Sequence, residues 1–430
     1  MVKDNLIQKI FFQYLTNTSW MMVEQILRII SGLFIGVWVA RYLGPEEFGL
    51  LSYAIAFSAI FGGIAKLGLD SIIVREIVNK PHMKEAYLGT AFWLKLTGAI
   101  GVICLIVAIL PFLENNTYTN VLILIVSTSY LLQCFEVVDF YFQSQVRIKL
   151  VSICKIIQLL LSSVIKIYLI KSHSSLILFV SVVVFDSFSL AICYACAYIW
   201  SEKINFYKRF DFSIARSLIN DSWPLILSAM VVMMYMRIDQ IIINKILNSY
   251  QLGLYSGAIR LIEILYIPAS ITIKSLSPYF LRKNINNEYF AYAVLSQIIF
   301  IIGVVLAAIS VCCSHFFYLK IFGISYVKSS EYFNWLTISL LFFYLSVPFS
   351  SYFVKYGLLK FQLFITVVSL IINIVLDLFL IPKYGVKGAI FSTIIARACT
   401  SLSIYMVDKK LFFVQLKSCL FLNLGKVNKL

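Results

Sequence analysis

Apolar segments long enough to cross a bilayer recur from one end of this chain to the other, and that recurrence limits what it can fold into more than any motif does. Each run is on the order of 20 residues or more, which as an α-helix covers a hydrocarbon core of about 30 Å. Composition agrees. Of 430 residues, 61% are hydrophobic and 13% charged, with a mean hydropathy of +0.91; soluble domains run at about 45–50% apolar and about 25% charged. The sequence therefore predicts an all-α polytopic membrane protein.

Twelve spans are predicted, at Tyr14 to Ala40, Leu50 to Val74, Ala86 to Leu110, Thr117 to Tyr141, Leu150 to Ile170, Leu176 to Trp200, Leu218 to Ile243, Gly253 to Ser277, Phe290 to Cys313, Phe333 to Val354, Phe361 to Ile381 and Val386 to Met406. Connections are short, and the longest polar one, around Glu202 to Arg216, is too small for a domain. The first span is too long for a cleavable signal peptide and lacks a small-residue cleavage site. Residues 411–430 form a tail that is either an amphipathic helix on the cytoplasmic face or a disordered end, and its apolar content with Lys417 interposed favours the surface helix.

Basic residues set the predicted orientation. Roughly 20 lysines and arginines, among them Lys3, Lys9, Lys80, Lys84, Arg147, Lys203, Arg282, Lys283, Lys355, Lys409, Lys426 and Lys429, fall on one side; roughly 7, including Arg41, Lys171 and Lys387, fall on the other. The positive-inside rule then puts both termini in the cytoplasm. Topology and anionic headgroups account for much of the net charge of +16, so no nucleic-acid partner is needed to explain it.

Cofactor chemistry has no foothold in the sequence. Most of the nine cysteines sit within spans, Cys193 and Cys196 lie in an apolar helix with no histidine nearby, and His82, His173 and His315 form no ligand constellation. No cofactor or metal is expected. No glycine-rich phosphate loop or ATP-binding module is present, which leaves an ion gradient or the substrate's own gradient as the energy source.

An internal repeat organises the spans. Ser19-Trp20 opens the first and Ser222-Trp223 the seventh; about thirty residues on come FGLLSYA, Phe48 to Ala54, and LGLYSGA, Leu252 to Ala258. The offset of about 204 residues and the division into six and six predict two parallel bundles, residues 1–208 and 209–410.

Charges inside the spans point to a water-filled cavity between such bundles. Glu24, Arg28, Asp186, Arg237, Asp239 and Arg397 fall nearest the midplane, while Arg75, Glu136, Asp139 and Lys274 lie near the cytoplasmic surface. Glu24 with Arg28, and Lys66 with Asp70, are four apart and can share a helix face. Arg260 with Glu263, Lys95 and Asp377 lie within further spans. Arg237 and Asp239 are two apart and point to different faces, so neither satisfies the other. Arginine stays protonated and its planar fork matches phosphate oxygens. Arg28, Arg237, Arg397 and Arg260 are therefore candidate ligands for a phosphate or pyrophosphate, and Glu24, Asp239, Asp186 and Asp70 candidates for charge balance or ion coupling. The same pairs could equally serve only to hold helices together.

Longer stretches carry a resemblance. RYLGPEEFGLLSYA (Arg41 to Ala54), LGLDSIIVREI (Leu67 to Ile77), SWPLILSAM (Ser222 to Met230), YMRIDQIII (Tyr235 to Ile243), LGLYSGAIRLIE (Leu252 to Glu263) and IPKYGVKGAI (Ile381 to Ile390) together resemble the polysaccharide-transporter branch of the multidrug/oligosaccharidyl-lipid/polysaccharide (MOP) exporter superfamily, and within it the O-antigen flippases of the Wzx type. The resemblance implies two six-helix bundles around a central cationic cavity in the bacterial inner membrane. Its implied activity is to flip undecaprenyl-pyrophosphate-linked O-antigen repeat units from the cytoplasmic to the periplasmic leaflet by ion-coupled alternating access, driven by protons or sodium, with membrane lipids, a polymerase and a chain-length regulator as partners. Two alternatives stay open: a drug/cation antiporter of the same superfamily, whose cavity should be acidic, and a membrane polymerase or glycosyltransferase, which should carry a larger extramembrane segment.

Overall fold

The computed structural model describes residues 2–202, 206–280 and 288–419, and among them the chain is all helix. The helices are α1 (Val2–Lys66), α2 (Asp70–Asn79), α3 (Lys84–Ile109), α4 (Thr117–Leu132), α5 (Val137–Ser144), α6 (Ile148–Lys171), α7 (Leu176–Glu202), α8 (Phe212–Ile246), α9 (Ser249–Leu265), α10 (Ile267–Phe280), α11 (Glu288–Phe317), α12 (Val327–Lys355), α13 (Leu359–Tyr384), α14 (Val386–Leu402), α15 (Ile404–Val407) and α16 (Lys409–Cys419). Of the basic residues used to orient the chain, Lys203, Arg282, Lys283, Lys426 and Lys429 lie outside the described residues, as does the tail from residue 420. The Lys274 side chain is likewise not described.

Eleven of the described helical segments are long and apolar enough to span a membrane. The first of them, Ser19–Asn79, holds two of the twelve predicted spans in 61 residues, far more than one crossing requires. It breaks at Gly44, whose φ of 70° and ψ of 172° are non-helical and which is followed by Pro45. Other predicted spans are interrupted as well. Lys66 ends α1 because Leu67 and Gly68 both adopt φ 57°, so Asp70 begins a new helix. A short 3-10 turn at Gln133–Glu136 separates α4 from α5, and Tyr266 separates α9 from α10.

Side chains fix where several helices start. Asn116 accepts the Thr119 N–H at 2.8 Å, Asn248 that of Gln251 at 2.9 Å and Asp408 that of Leu411 at 2.9 Å, each satisfying an N-terminal amide with no partner inside the helix. Ahead of α8, Asp211 accepts from the Ser213 hydroxyl and from the N–H groups of Ser213 and Ile214, which holds its carboxyl below the usual range.

The chain divides into two compact units. Unit 1 comprises Met1–Tyr42 and Tyr53–Met233; unit 2 comprises Leu43–Ser52 and Met234–Leu430. In unit 1, α4 and α6 pack on α7, and a core forms from Leu69, Ile73, Leu88, Val137, Phe142 and Tyr194. In unit 2, α12 packs against α9, α11 and α14, around Ile299, Leu340, Tyr344 and Ile404. The tail helix α16 lies at the surface of unit 2 with one face buried, Phe413 and Leu416 remaining exposed. Leu411, Val414, Ser418 and Cys419 are buried, it packs on α11, and Gln415 donates to the Leu345 carbonyl at 2.8 Å. Large apolar side chains such as Phe34, Val164, Trp200 and Phe379 remain exposed, which suits a lipid-facing surface and not an aqueous one.

Within unit 2 the two similar stretches around Gly49 and Gly253 meet in direct contact. A Cβ on Gly253 would stand 1.7 Å from the Pro45 carbonyl oxygen, and one on Gly49 would stand 1.8 Å from the Ser249 carbonyl oxygen. Gly49 and Gly253 are equivalent in the repeat, and so are Pro45 and Ser249. The segment 43–52 therefore crosses the start of α9 backbone against backbone, which only glycine permits. Gly253→Ala is expected to lose about 3 kcal/mol of stability, read as a lower unfolding temperature in detergent, while Gly101→Ala, with nothing within 4 Å, should cost nothing; equal unfolding temperatures would contradict this packing.

Candidate functional sites within each unit

In unit 2 the structure shows what keeps Arg237 and Asp239 inside an apolar helix. Both lie on α8 and both find partners on α9, though on different turns of it. Arg237 Nη1 is 3.0 Å from Glu263 Oε1, and Asp239 accepts from the Tyr255 hydroxyl and from the Gln240 N–H at 2.8 Å. Spacing along α8 separates the two side chains, and the neighbouring helix supplies a counter-charge to one and a phenol to the other.

Asp239 and Glu263 line a cavity of about 30 Å³ with Tyr235, Tyr266, Asn373, Thr393 and Arg397. That volume takes a water molecule or a small ion and is too small for pyrophosphate. The Arg397 guanidinium stacks 4.8 Å from the Tyr266 ring centre and 5.7 Å from that of Phe343, and its buried Nε has no hydrogen-bond partner. One turn of α13 beyond Asn373 sits Asp377, fully buried, neither carboxylate oxygen hydrogen-bonded among the described residues. The Ser392 hydroxyl beside it is committed to the Gly388 carbonyl at 3.0 Å. The Asp239 carboxyl, the Asn373 amide and the Thr393 hydroxyl thus line an ion-sized space, and the Asp377 carboxyl lies one helical turn from Asn373 outside that lining.

Unit 1 holds a larger polar cavity, about 280 Å³, lined by Arg28, Lys66, Gln133, Glu136, Gln158, Asp186, Ser187 and Tyr194. Nearly every charge around it has a fixed partner. Arg28 donates twice to Glu24, at 2.8 and 2.6 Å; Lys95, 1% exposed, reaches Glu136 at 2.9 Å; Lys155 reaches Asp139 at 2.9 Å; and Lys166 lies 3.5 Å from Asp186. Tyr194 and Gln143 also donate to Asp139, at 3.3 and 2.8 Å. Lys66 has no hydrogen bond or ion pair among the described residues. The turn through Leu67 and Gly68 breaks the helical four-residue spacing, so Asp70 makes no direct ion pair with it, and the Lys66 charge acts at longer range on both Asp70 and Glu136. Gln133 Oε1 and Asp186 Oδ1 are buried without partners.

The predicted residues therefore fall into separate groups. Arg28, Glu24 and Asp186 gather at the unit 1 cavity. Asp239 and Arg397 line the unit 2 cavity, and Arg237 reaches it only through Glu263. Arg260 stands 5.8 Å over the Phe48 ring and lines neither cavity, and Asp70 is exposed and lines neither. Lys155 and Lys166 went unmarked in the sequence, although a lysine inside an apolar span at the depth of a carboxylate on another span signals such a pair. Among the described residues no group of three or more His, Cys, Asp or Glu is arranged to hold a metal, and all nine cysteines are free thiols.

Comparison with known proteins places this arrangement. Residues 14–284 match the family model described as "Polysaccharide biosynthesis protein". The capsular polysaccharide biosynthesis protein CapF of Staphylococcus aureus is 24% identical over 409 residues, covering 92% of this chain and 99% of CapF. Among solved structures, an inward-facing multidrug resistance MATE family transporter of the MOP superfamily matches with a TM-score of 0.73 at 14% identity, over 94% of this chain and 99% of that one. The lipid II flippase MurJ, in an inward closed conformation, matches with a TM-score of 0.72 at 14% identity, over 95% and 91%. This multi-pass membrane protein thus has the MOP transporter fold, and the chain belongs to the polysaccharide biosynthesis protein family.

Proposed function

We propose that the chain is a flippase that moves lipid-linked oligosaccharide repeat units, carried on undecaprenyl pyrophosphate, from the cytoplasmic to the periplasmic leaflet of the bacterial inner membrane, for O-antigen or capsular polysaccharide. The observation that carries this reading is the 280 Å³ polar cavity kept inside an otherwise apolar helical unit, with Arg28 and Lys66 at its wall. Arg28 and Lys66 supply donors for an anionic headgroup, and the cavity's amides, hydroxyl and phenol suit sugar hydroxyls. Family membership and the MOP fold point the same way, and no described connection is long enough to form a separate catalytic domain.

The coupling ion is assigned to unit 2. Asp239, Asn373 and Thr393 offer oxygen ligands around a space of ionic size, with the buried Asp377 carboxyl one turn beyond Asn373 on α13, so sodium or a proton binds there while the headgroup binds elsewhere. Arg237 and Glu263 hold α8 to α9 beside it. Arg397 neutralises the carboxyls when the ion leaves.

Two outcomes follow. In a strain that lacks its own flippase and makes the matched repeat unit, the wild-type gene should restore surface polysaccharide, while Arg28→Ala and Lys66→Ala at equal protein abundance should lower display at least tenfold; wild-type display in both variants would remove the cationic-headgroup account, and failure of the wild type would favour the cation-antiporter alternative. For coupling, sodium or a change of pH should raise the unfolding temperature of the purified protein, and Asp377→Asn should abolish that rise, because a ligand bound only to the folded state stabilises it. An identical response in Asp377→Asn would move the ion site elsewhere.

A further inference from the structure

The outer face of α16 in unit 2 mixes charge with hydrocarbon. At about 100° per residue, Lys409, Phe413, Leu416 and Lys417 fall within an arc of about 100° opposite the side that packs on α11, and all four are exposed. Met406, 73% exposed on the short helix before it, extends the apolar part of this face, and Tyr405 joins it to Phe413 with ring centres 6.1 Å apart. The helix also slants. Near its start the Tyr289 hydroxyl donates to Asp408 at 3.3 Å, and at its end Cys419 Sγ lies 4.0 Å from the Ser296 carbonyl oxygen. Between those contacts α16 rises about 16 Å along its own axis while α11 rises about 10 Å. Tyr289 stands just before the apolar span that begins at Ala291, so α16 starts at the membrane surface and dips no deeper than the boundary between headgroups and acyl chains.

We infer that this face docks on anionic phospholipid, with Phe413 and Leu416 among the acyl chains and Lys409 and Lys417 on the headgroup phosphates. The inference is independent of the flippase reading. Water alone does not suit the face, because Met406, Phe413 and Leu416 would form an apolar ledge in it; hydrocarbon alone does not suit it either, because two ammonium groups would lose their hydration. Charge selects the lipid. Among the described residues Lys417 makes no hydrogen bond or ion pair, and Lys409 lies 5.5 Å over the Tyr405 ring without one. The adjoining carboxylate is committed elsewhere: Asp408 accepts from the Tyr352 and Tyr289 hydroxyls at 3.0 and 3.3 Å and from the Leu411 N–H at 2.9 Å. Lys409 also sits in the first turn of α16, where a cation opposes the helix dipole, so its placement brings the helix no stability of its own. An anionic headgroup supplies the missing counter-charge, as a zwitterionic one does not. On its inner side α16 is pinned to α12 by Gln415, which donates to the Leu345 carbonyl, so the lipid grips the corner where α11, α12 and α16 meet.

Photocrosslinking in vesicles tests this. The full-length protein is reconstituted in phosphatidylcholine carrying a trace of photoactivatable phosphatidylglycerol or, in parallel, photoactivatable phosphatidylcholine, and the labelled peptides are mapped. The peptide that contains α16 should take phosphatidylglycerol at least tenfold more than phosphatidylcholine. Lys409→Gln with Lys417→Gln should bring that yield down to the phosphatidylcholine level at an unchanged unfolding temperature, and Lys409→Arg with Lys417→Arg should keep it. Removing two exposed lysines elsewhere in unit 2, Lys245→Gln with Lys383→Gln, should leave it as in wild type. Equal yields from the two lipids, an undiminished yield in the Lys409→Gln, Lys417→Gln variant, or an equal loss in the Lys245→Gln, Lys383→Gln variant would overturn the site. So would displacement of the lipid by millimolar glycerol 3-phosphate, which would make it a site for soluble phosphates, or chain-to-chain crosslinks at α16 in place of lipid ones, which would give the face to a second copy.

Discussion

Charge inside hydrocarbon must be answered within a few ångströms, and much of this structure follows from how that is done. A buried ion without a partner loses several kcal/mol of hydration that the bilayer cannot return. Here the answers come mostly from neighbouring helices. Glu263 on α9 answers Arg237 on α8, the turn before α5 answers Lys95 on α3, and α5 answers Lys155 on α6. Each pair ties two helices at one depth, so the spans cannot slide past one another without parting charges. Among the buried groups left without a hydrogen bond are Gln133 Oε1 and Asp186 Oδ1 in unit 1, and the Arg397 Nε and the Asp377 carboxyl in unit 2.

Backbone proximity supplies the second constraint. In a bilayer no hydrophobic force draws one apolar helix to another, so tight association depends on close packing where side chains are small. The reciprocal crossing of Gly49 and Gly253 meets that requirement with the repeat's own equivalent residues, and the break at Gly44 delivers the segment 43–52 to unit 2. A glycine in each copy of the repeat is thereby explained by what its missing Cβ makes room for.

Sequence reading reached the fold because span length and apolarity are local properties, written in each run of about 20 residues. The repeat was legible for the same reason, since FGLLSYA and LGLYSGA are short and similar. Partners were less accessible. Arg28 with Glu24 was readable from helical spacing, and that Arg237 and Asp239 cannot answer each other followed from their separation of two. That Glu263 and Tyr255 would answer them depends on how α9 lies against α8, which no single run encodes. Lys66 with Asp70 looked like a pair on a continuous helix, but Leu67 takes a left-handed conformation that a leucine gives no cause to expect, and the spacing dissolves. The tail was readable as a surface helix, but that one of its faces packs on α11 depends on tertiary placement that no single run encodes.

The central claim is that the chain moves a lipid-linked oligosaccharide across a membrane. Purified protein reconstituted into liposomes with such a lipid confined to the inner leaflet tests it most directly, the glycan's arrival outside being read with a membrane-impermeant sugar-modifying reagent. The account predicts time-dependent exposure that requires the protein and slows at least tenfold in Arg397→Ala. Exposure no faster than in protein-free liposomes, under either sodium or proton gradients, would contradict it.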